Sequence, residues 1–263
     1  MGDDMLLPFD ARKPNIARAY DYLLGGKDNF APDRELAARL LELDPGLALG
    51  ARENRKFLIR AVDWVARQGI NQFIDVGSGL PAMTNTDEAA RAVQPTARVV
   101  YVDNDPVVVS HAQALLCGEC VVAIPGDMRK PDAILADPVL AELIDLGEPA
   151  CLVLCAVLHF MDAATVRAVV AAFIRALAPG SYLIISVARA DGEIANRYMQ
   201  SYSAGSLHNH SPEQIAGFFA GTELVPPGVV EASAWPVRAA VPANRATVGQ
   251  LLAGVGRKPS RTG

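Results

Sequence analysis

Three acidic residues follow three short apolar runs of the sequence, where their carboxylates could bind a small ligand. Asp75 stands two positions before Gly77 in the segment "FIDVGSG", and Asp103 and Asp127 close the runs "ARVVYVD" and "CVVAIPGD". Gly77 and Gly79 carry no Cβ, so the backbone can turn sharply there and approach a ligand closely. Carboxylates attract cations and accept hydrogen bonds from hydroxyl and amino groups. The spacing therefore predicts a site for a ligand that carries hydroxyls and positive charge.

The glycine pattern is compatible with two classes of cofactor. Gly77, Gly79 and Ala82 also fit the fingerprint of a nicotinamide dinucleotide site, in which a pyrophosphate packs against the turn. The carboxylate of Asp75 would repel that pyrophosphate, whereas it would attract the sulfonium and ammonium groups of S-adenosylmethionine. Asp103 lies at a suitable distance downstream to accept the ribose hydroxyls of either cofactor. We therefore predict S-adenosylmethionine, with NAD(P) as the alternative.

The third acid and its neighbours complete the predicted cofactor site. Asp127 is placed where it could accept a hydrogen bond from an adenine amino group, and Met128 beside it could pack on the adenine ring. Each acid alone is typical of a turn or a helix cap, but three at consecutive strand ends favour a binding site. The remaining predicted cofactor contacts are Ser78 and Asn104, which belong to the same strand-end segments.

The apolar runs alternate with segments of helical period, which is typical of a parallel sheet. Each run is rich in Val, Ile and Leu and lacks polar alternation, as expected of strands buried on both faces. This alternation predicts a doubly wound, mostly parallel α/β sheet with helices on both faces and its ligand site at the carboxyl ends of the strands. Helices are predicted over 106–116, after the N-cap Asp162 and after Ser211. The predicted strands are 72–77, 97–103, 120–127, 150–158 and 181–188, followed by two more at 223–231 and 247–255.

Residues 10–68 have the periodicity of helices and would form a cap on the sheet. One helix is predicted over 33–43, with Asp33 as its N-cap, and another over 51–67 with its apolar side inward. Together with the loop 189–212, this cap would build the pocket for a methyl acceptor. The candidate walls of that pocket are Tyr20, Tyr22, Tyr198 and Tyr202.

A glycine pair interrupts these helices and has two interpretations. Gly25 and Gly26 could form the hinge of a flap whose Lys27 or Asn29 contacts the cofactor carboxylate or the acceptor. The segment could equally be a plain connection between two helices. Arg55 is similar, because it could pair with the cofactor carboxylate or form an ion pair on a helix surface.

His159 follows the fourth predicted strand, where a methyl acceptor would approach the cofactor. A neutral imidazole there could take a proton from an acceptor hydroxyl or amine. The alternative is a structural histidine that caps the next helix or packs beside Phe160. Many methyl transfers need little acid–base assistance, since alignment of the acceptor, methyl group and sulfur supplies most of the rate. We therefore predict His159 as the candidate catalytic residue and keep the structural alternative open.

The composition narrows the classes of partner. The 263 residues carry a formal net charge of −5 and form no basic stripe, so neither nucleic acid nor an anionic membrane is a predicted partner. The sequence has no apolar stretch of about 20 residues and no signal peptide, which predicts a cytoplasmic protein. Cys117 and Cys120 lack a second pair at zinc-binding spacing, so we predict no metal. The oligomeric state is not indicated.

Several strings of the sequence resemble known methyltransferases. "FIDVGSGLP", "VVYVDNDPVV", "VLHF" and "APGSYLIIS" are similar to the motifs of class I methyltransferases. "ARAYDYLLGGKDNFAPDRE" and "ARENRKFLIRAV" resemble a bacterial S-adenosylmethionine-dependent methyltransferase family first catalogued as a domain of unknown function. The likeness runs from about residue 12 to "GVGRK", nearly the whole chain. It implies a seven-stranded Rossmann-like sheet whose last strand is antiparallel.

The resemblance also implies roles for the site residues but no identity for the acceptor. Pro81 stands where many methyltransferases have a third glycine. We predict a cap at 1–68, a methyltransferase core at 69–257 and a flexible tail at 258–263. The predicted function is methyl transfer to a small molecule, with an NAD(P)-dependent oxidoreductase or a non-catalytic S-adenosylmethionine-binding protein as alternatives. By resemblance, Asp75, Gly77 and Gly79 would hold the methionine part of the cofactor, Asp103 the ribose, and Asp127 with Met128 the adenine.

Overall fold

The protein is built on one central β-sheet, described here in a computed structural model. The strands are β1 (Gln72–Val76), β2 (Arg98–Asp103), β3 (Val121–Pro125), β4 (Cys151–Cys155), β5 (Tyr182–Ala188), β6 (Glu223–Leu224), β7 (Val230–Glu231) and β8 (Leu251–Arg257). Their order is β3-β2-β1-β4-β5-β8-β6, and β7 also pairs with β8. The first five strands are parallel, and β8 is antiparallel to β5. The structure describes residues 10–116, 118–189, 197, 206–236 and 251–260.

Helices cover both faces of the sheet, which confirms the predicted doubly wound α/β class. On one face, α3, α4 and α5 pack in an apolar cluster that includes Phe57 and Phe73. On the other face, α6 to α9 pack in a second cluster that includes Leu152 and Phe173. Among the described helices, none is long and apolar enough to cross a membrane. The helices are α1 (Ile16–Leu24), α2 (Ala31–Leu43), α3 (Leu47–Arg67), α4 (Thr86–Arg91), α5 (Pro106–Leu115), α6 (Pro131–Leu135), α7 (Pro138–Leu143), α8 (Ala163–Ala176) and α9 (Pro212–Gly217).

The sheet has eight strands rather than the seven predicted. The predicted strand 223–231 is split into β6 and β7, because Pro226 and Pro227 between them have no N–H group to donate to a ladder. Both short strands pair antiparallel with β8 and share the edge position that a seventh strand would fill. Of the predicted strand 247–255, residues 247–250 lie outside the described residues, and β8 continues to Arg257.

The fourth strand is shorter than its apolar run. It ends at Cys155, whereas the run "ACLVLCAVL" extends to Leu158. Ala156 has a positive φ of 56°, which breaks the extended conformation, and Leu158–Phe160 form one turn of 3₁₀ helix. The chain therefore leaves the sheet at Ala156 and places His159 beside the strand ends.

The N-terminal helices pack in two groups. α1, α2 and the start of α3 form a small apolar cluster of their own, to which Ala19 and Ala51 belong. The remainder of α3, including Phe57 and Val62, packs directly on the sheet. Most of α3 thus packs on the sheet, and the cap range 1–68 stays a prediction. Residues 1–9 lie outside the described part of the chain.

The second helix begins before its predicted N-cap. It starts at Ala31, so Asp33 lies in the first turn. The Asp33 carboxylate accepts the backbone N–H groups of Phe30 and Asn15, each at 2.8 Å. Asp33 therefore joins the starts of α1 and α2 instead of capping α2 alone.

Lys258 is anchored by hydrogen bonds from its side chain and its backbone. Lys258, predicted as the first residue of a flexible tail at 258–263, donates its ammonium to the carbonyls of Ile174 and Leu177 at 2.7 and 2.6 Å. Its backbone N–H also bonds to the carbonyl of Ser181 at 2.7 Å. Lys258 is therefore anchored to the end of α8 and belongs to the core, while residues 261–263 lie outside the described part of the chain.

Candidate functional site

The glycine turn after β1 requires glycine at Gly77 for two reasons. Gly77 has a φ of +72°, and a Cβ there would lie 2.5 Å from Cγ1 of Val157 and 3.3 Å from Cε of Met128. Its N–H bonds to the carbonyl of Val102 at 2.7 Å, which ties the turn to the end of β2. Gly79 also has a positive φ, of +67°, but a Cβ there would meet nothing within 4 Å. The turn is thus packed tightly on the β4 side and open at Gly79.

Asp103 ends β2 with both carboxylate oxygens held by backbone groups. Oδ2 accepts the N–H of Gly79 and Oδ1 accepts the N–H of Asp105, each at 3.0 Å. The residue is only 8% exposed, and burial raises the pKa of its carboxyl to about 6 despite these hydrogen bonds. Each carboxylate oxygen can accept a further hydrogen bond. A fixed carboxylate beside a glycine turn is suited to a pair of neighbouring hydroxyls.

Asp75 lies on the face of the sheet that α3 covers, with an exposure of 4%. Its Oδ2 accepts a hydrogen bond from the hydroxyl of Thr86, the first residue of α4, at 2.5 Å. Burial raises the pKa of its carboxyl to about 6, while the Thr86 hydroxyl and the positive charge of Arg55 act in the opposite direction. Among the described residues, Oδ1 has no hydrogen-bond donor, so it can accept one from a ligand's ammonium group.

Arg55 fastens the loop that follows the glycine turn. Its guanidinium donates to the carbonyl of Thr84 at 2.7 and 3.1 Å and to Oδ1 of Asn85 at 2.8 Å. The same Asn85 oxygen accepts the N–H of Ala82 at 2.9 Å. Arg55 therefore shapes the loop beside Asp75 through hydrogen bonds, and none of the ion pairs among the described residues includes it. A direct contact of Arg55 with a ligand stays a prediction.

The third predicted acid already has a cationic partner. Both oxygens of Asp127 accept hydrogen bonds from the Arg129 side chain, at 2.7 to 3.0 Å. Burial alone would raise the pKa of the Asp127 carboxyl, but the hydrogen bonds from Arg129 outweigh it and the pKa lies below its ordinary value. Met128 packs partly buried against the core, with its methyl group beside Gly77. An adenine contact at Asp127 would have to share this carboxylate with Arg129.

Two further predicted contacts lie in the same turns. The N–H of Ser78 bonds to the carbonyl of Val102 at 3.2 Å, alongside that of Gly77. Asn104 donates its N–H to the carboxylate of Asp103, which helps to hold that carboxylate at the strand end. The structure thus brings these residues together with Asp103, while their side-chain roles stay predictions.

A buried chain of polar groups joins the N-terminal helices to the ends of β4 and β5. The Tyr20 hydroxyl donates to the carbonyl of Ala51 at 2.9 Å and accepts the side-chain amide of Asn54 at 3.0 Å. Oδ1 of Asn54 accepts the hydroxyl of Ser186 at 2.5 Å, and that hydroxyl accepts the N–H of Ala156 at 3.0 Å. Neither Asn54 nor Ser186 is predicted as a site residue, because no local motif in the sequence marks them.

His159 is buried among the same strand ends. Its Nδ1 accepts the N–H of Ala188 at 3.4 Å, and its ring packs at 4.2 Å from that of Phe160. Burial, with a smaller contribution from His210, lowers the pKa of His159 to about 3. The ring is neutral at pH 7 but is a much weaker base than an exposed imidazole. Its role as general base stays a prediction, and this environment favours the structural alternative.

The predicted flap is held together by its own side chains. The carboxylate of Asp21 accepts the N–H of Asp28 at 3.0 Å and the amide of Asn29 at 2.8 Å. A Cβ at Gly26 would overlap this carboxylate, so the glycine is needed for the close approach. The amide of Asn29 is therefore used inside the loop. Lys27 is exposed there, and its contact with a ligand stays a prediction.

The remaining predicted side chains are only partly described. Tyr20 is part of the polar chain above, and Tyr22 is 38% exposed on α1. Tyr198, Tyr202 and Cys117 lie outside the described residues. In the part of the chain that the structure describes, no group of three or more His, Cys, Asp or Glu side chains is arranged to hold a metal ion.

Comparisons with known proteins agree with this geometry. The sequence matches the S-adenosyl methyltransferase family over residues 5–259. A proposed methyltransferase from Thermobifida fusca shares 42% identity and a TM-score of 0.88, over 94% of this chain and 96% of that one. A DUF574 family protein from Streptomyces avermitilis shares 34% identity and a TM-score of 0.88, over 95% of this chain and 99% of that one. Among curated proteins, none matches.

The parallel sheet and its glycine turn define a Rossmann-like methyltransferase. The same fold is present in human N-acetylserotonin methyltransferase, solved with S-adenosylmethionine, at a TM-score of 0.51 and 15% identity over 94% of this chain and 63% of that one. The chain belongs to the S-adenosyl methyltransferase family. It is therefore an S-adenosylmethionine-dependent methyltransferase, which decides between the two cofactors left open by the glycine pattern.

Proposed function

We propose that this enzyme transfers a methyl group from S-adenosylmethionine to a small-molecule acceptor at the ends of β4 and β5. The observation that carries the proposal is the carboxylate of Asp103, held by the N–H groups of Gly79 and Asp105 beside the glycine turn. That arrangement fixes two oxygens where a ribose diol can donate to them. Gly77 and Gly79 would then hold the methionine part of the cofactor at the turn that packs against Val157, just after β4.

Each residue at the ends of β1 to β3 has a part in this proposal. Asp75 would accept the cofactor's ammonium through its free Oδ1, while Thr86 holds Oδ2 in place. Gly77 and Gly79 would let the methionine part approach the backbone. Asp127, Met128, Ser78 and Asn104 would surround the adenosine, with Asp127 shared between the adenine and Arg129.

The proposed acceptor half consists of the residues at the ends of β4 and β5. The chemistry that S-adenosylmethionine supplies when bound is an activated methyl group on a positively charged sulfur. The polar chain from Tyr20 to Ser186 would fix the floor against which an acceptor lies. His159 would line the acceptor site rather than accept a proton, because its buried ring is neutral and a weak base. The protein would then act mainly by alignment of the reacting atoms.

Two features support an acceptor of small size. The net charge of −5 offers no attraction for a nucleic acid, which a basic surface would recognise. Tyr20 also ties α1 to α3, and Asn54 of α3 is bonded to Ser186 near the end of β5, so the N-terminal helices would narrow the approach to that edge. A large polymer would have to displace these helices to reach the cofactor.

The test follows a labelled methyl group. The enzyme would be incubated with methyl-labelled S-adenosylmethionine and a cell extract, and the products separated by size filtration. We expect enzyme-dependent label in a small-molecule product that chromatography separates from unreacted S-adenosylmethionine, and loss of this label with Asp103→Ala, which lacks the ribose acceptor. Label confined to the protein or nucleic-acid fraction would contradict the small acceptor, and label equal to the enzyme-free reaction would contradict turnover itself.

A further inference from the structure

Arg18 of α1 lies buried between two carboxylates that belong to different parts of the fold. Its Nε is 3.5 Å from Oδ2 of Asp33 and 3.8 Å from Oδ2 of Asp105. The side chains of all three residues are at most 4% exposed. Buried charges are stable only when they are paired, so the three groups form one unit whose members depend on each other.

Asp105 connects this unit to the predicted ribose site. Its N–H donates to Oδ1 of Asp103 at 3.0 Å, and its own Oδ1 caps α5 by accepting the N–H of Val107 at 2.8 Å. The backbone of Asp105 thus faces the cofactor side while its carboxylate faces Arg18. A displacement of Asp105 would move the hydrogen-bond donor that orients Asp103.

Asp33 connects the same unit to the N-terminal helices. Its carboxylate accepts the N–H groups of Asn15 and Phe30, and the guanidinium of Arg18 also donates to the carbonyl of Lys13 at 3.1 Å. The ring of Phe30 lies 5.2 Å from the guanidinium carbon. The starts of α1 and α2 therefore converge on Arg18.

A second contact joins the same two parts of the structure. Nδ1 of His111 on α5 lies 3.6 Å from Oδ2 of Asp28, in the loop between α1 and α2. The N-terminal helices thus meet α5 at two points, one buried at Arg18 and one partly exposed at His111. The N-terminal helices α1 and α2 therefore contact the segment that follows Asp103 and support its position.

We propose that Arg18 is a positioning residue for the cofactor's ribose. It holds the N-terminal helices against the turn between β2 and α5, so that the N–H of Asp105 stays on Asp103. Packing of α1 and α2 against this turn and binding of the ribose hydroxyls are then energetically coupled. The inference rests on the proposed role of Asp103 and adds to that site a residue that acts on it through Asp105.

The test compares two ligands by calorimetry, S-adenosylhomocysteine and its 2′-deoxy analogue. For the wild type we expect the analogue to bind about tenfold more weakly, since Asp103 loses a hydroxyl partner. For Arg18→Met we expect S-adenosylhomocysteine to bind about tenfold more weakly and the ratio between the two ligands to fall toward one. Arg18→Lys should recover part of the ratio, because it keeps the positive charge.

A matched control removes an ion pair from the same end of the chain. Arg12 is 90% exposed and pairs with Asp10 at 2.9 Å, so Arg12→Met should leave both affinities unchanged. If Arg18→Met does not fold, Asp105→Asn replaces it, because asparagine keeps a cap for α5 and the backbone N–H. The same fall in the ratio is expected.

The outcomes separate the inference from the proposed function. A variant that binds both ligands more weakly but keeps the wild-type ratio would show a purely structural Arg18 and overturn the inference alone. Equal binding of the two ligands by the wild type would overturn the ribose role of Asp103 and the inference with it. A ratio that falls in Arg18→Met but not in Arg12→Met supports the coupling.

Discussion

The two halves of the sheet edge are constructed in different ways. The cofactor half, at the ends of β1 to β3, uses backbone N–H groups and carboxylates that follow successive strands, such as Gly79 with Asp103, 24 residues apart. The acceptor half, at the ends of β4 and β5, uses side chains from distant segments, such as Asn54 with Ser186. The proposed cofactor site is built from short segments that directly follow strands. The proposed acceptor site instead depends on how α1 and α3 pack over the sheet.

The two halves also differ in charge. The cofactor half contains the carboxyl groups of Asp75, Asp103 and Asp127, two of them with pKa values near 6. In the acceptor half, burial raises the pKa of Tyr20 to about 12 and that of His159 falls to about 3, so both are neutral at pH 7. A cationic cofactor on one side and a neutral acceptor on the other fit this division.

The largest expected effect is at Gly77, where the two halves touch. Gly77→Ala places a methyl group against Val157 and forces an alanine into a positive φ, which together cost about 3 kcal/mol or more. We expect at least about a hundredfold weaker binding of S-adenosylhomocysteine in calorimetry. Gly69→Ala is the control, since Gly69 has a φ of +93° but open space around its Cβ. Equal affinities of the two variants would refute the tight packing of this turn.

A smaller loss is expected from Asp103→Ala. Removal of this carboxylate leaves the ribose hydroxyls without an acceptor and should weaken S-adenosylhomocysteine by about 1–3 kcal/mol. Titration calorimetry measures the change, with Asp132→Ala as a control for an exposed carboxylate in α6. Unchanged affinity would mean that the ribose lies elsewhere and that the cofactor half is wrongly assigned.

The pH dependence of binding tests the charge of the cofactor half. Asp75 and Asp103 are mostly protonated at pH 5 and ionised at pH 7.5, since their pKa values are about 6. Because the ligand-free folded state favours their protonated forms, their contribution to its stability decreases as the pH rises from about 4 to 6. The affinity for S-adenosylhomocysteine should change in the opposite direction, with a rise of about tenfold from pH 5 to 7.5 for each carboxylate that must be ionised. A flat profile would contradict the ionised carboxylates as ligand contacts.

The acceptor half should affect stability more than cofactor binding. In Ser186→Ala, Oδ1 of Asn54 loses the hydroxyl that donates to it, and the N–H of Ala156 loses its side-chain acceptor. These losses should lower the free energy of unfolding by about 1–3 kcal/mol. The affinity for S-adenosylhomocysteine should stay within about twofold. Denaturant unfolding and calorimetry of the same sample separate the two effects. If Ser186→Ala weakened S-adenosylhomocysteine as much as Asp103→Ala does, the division into a cofactor half and an acceptor half would be wrong.

The smallest effect is expected at His159. His159→Gln should leave the cofactor affinity within about twofold and lower methyl transfer by less than about tenfold, because a ring with a pKa near 3 is a poor base at pH 7. Transfer of label to the small-molecule fraction provides the measurement. A decrease of about a hundredfold or more would instead establish general-base catalysis by this histidine.

The sequence predicts the fold well because its signals are local. The buried strands are visible as apolar runs, and Asp162 caps α8 as predicted, accepting the N–H groups of Ala164 and Thr165. The division of 223–231 into two strands depends on where Pro226 and Pro227 fall relative to β8, which no periodicity reveals. The membership of α3 in the core depends in the same way on which partner its apolar side finds.

The candidate site could be predicted only in part for the same reason. The acids of the cofactor half follow strands and are visible as motifs. The contacts of Arg55 with Thr84 and of Asn54 with Ser186 are tertiary, because they join segments 29 and 132 residues apart. Their partners are not specified by spacing along the chain, so the sequence could name candidate residues but not their hydrogen bonds.

The anchoring of Lys258 has a practical consequence for handling the enzyme. Its ammonium donates hydrogen bonds to two carbonyls at the end of α8. Carbonyls at the end of a helix have no hydrogen-bond donor within that helix. Shortening the polypeptide to Arg257 would remove that donor and loosen the helix behind the acceptor half. An affinity tag is therefore better appended beyond Ser260 than substituted for these last residues.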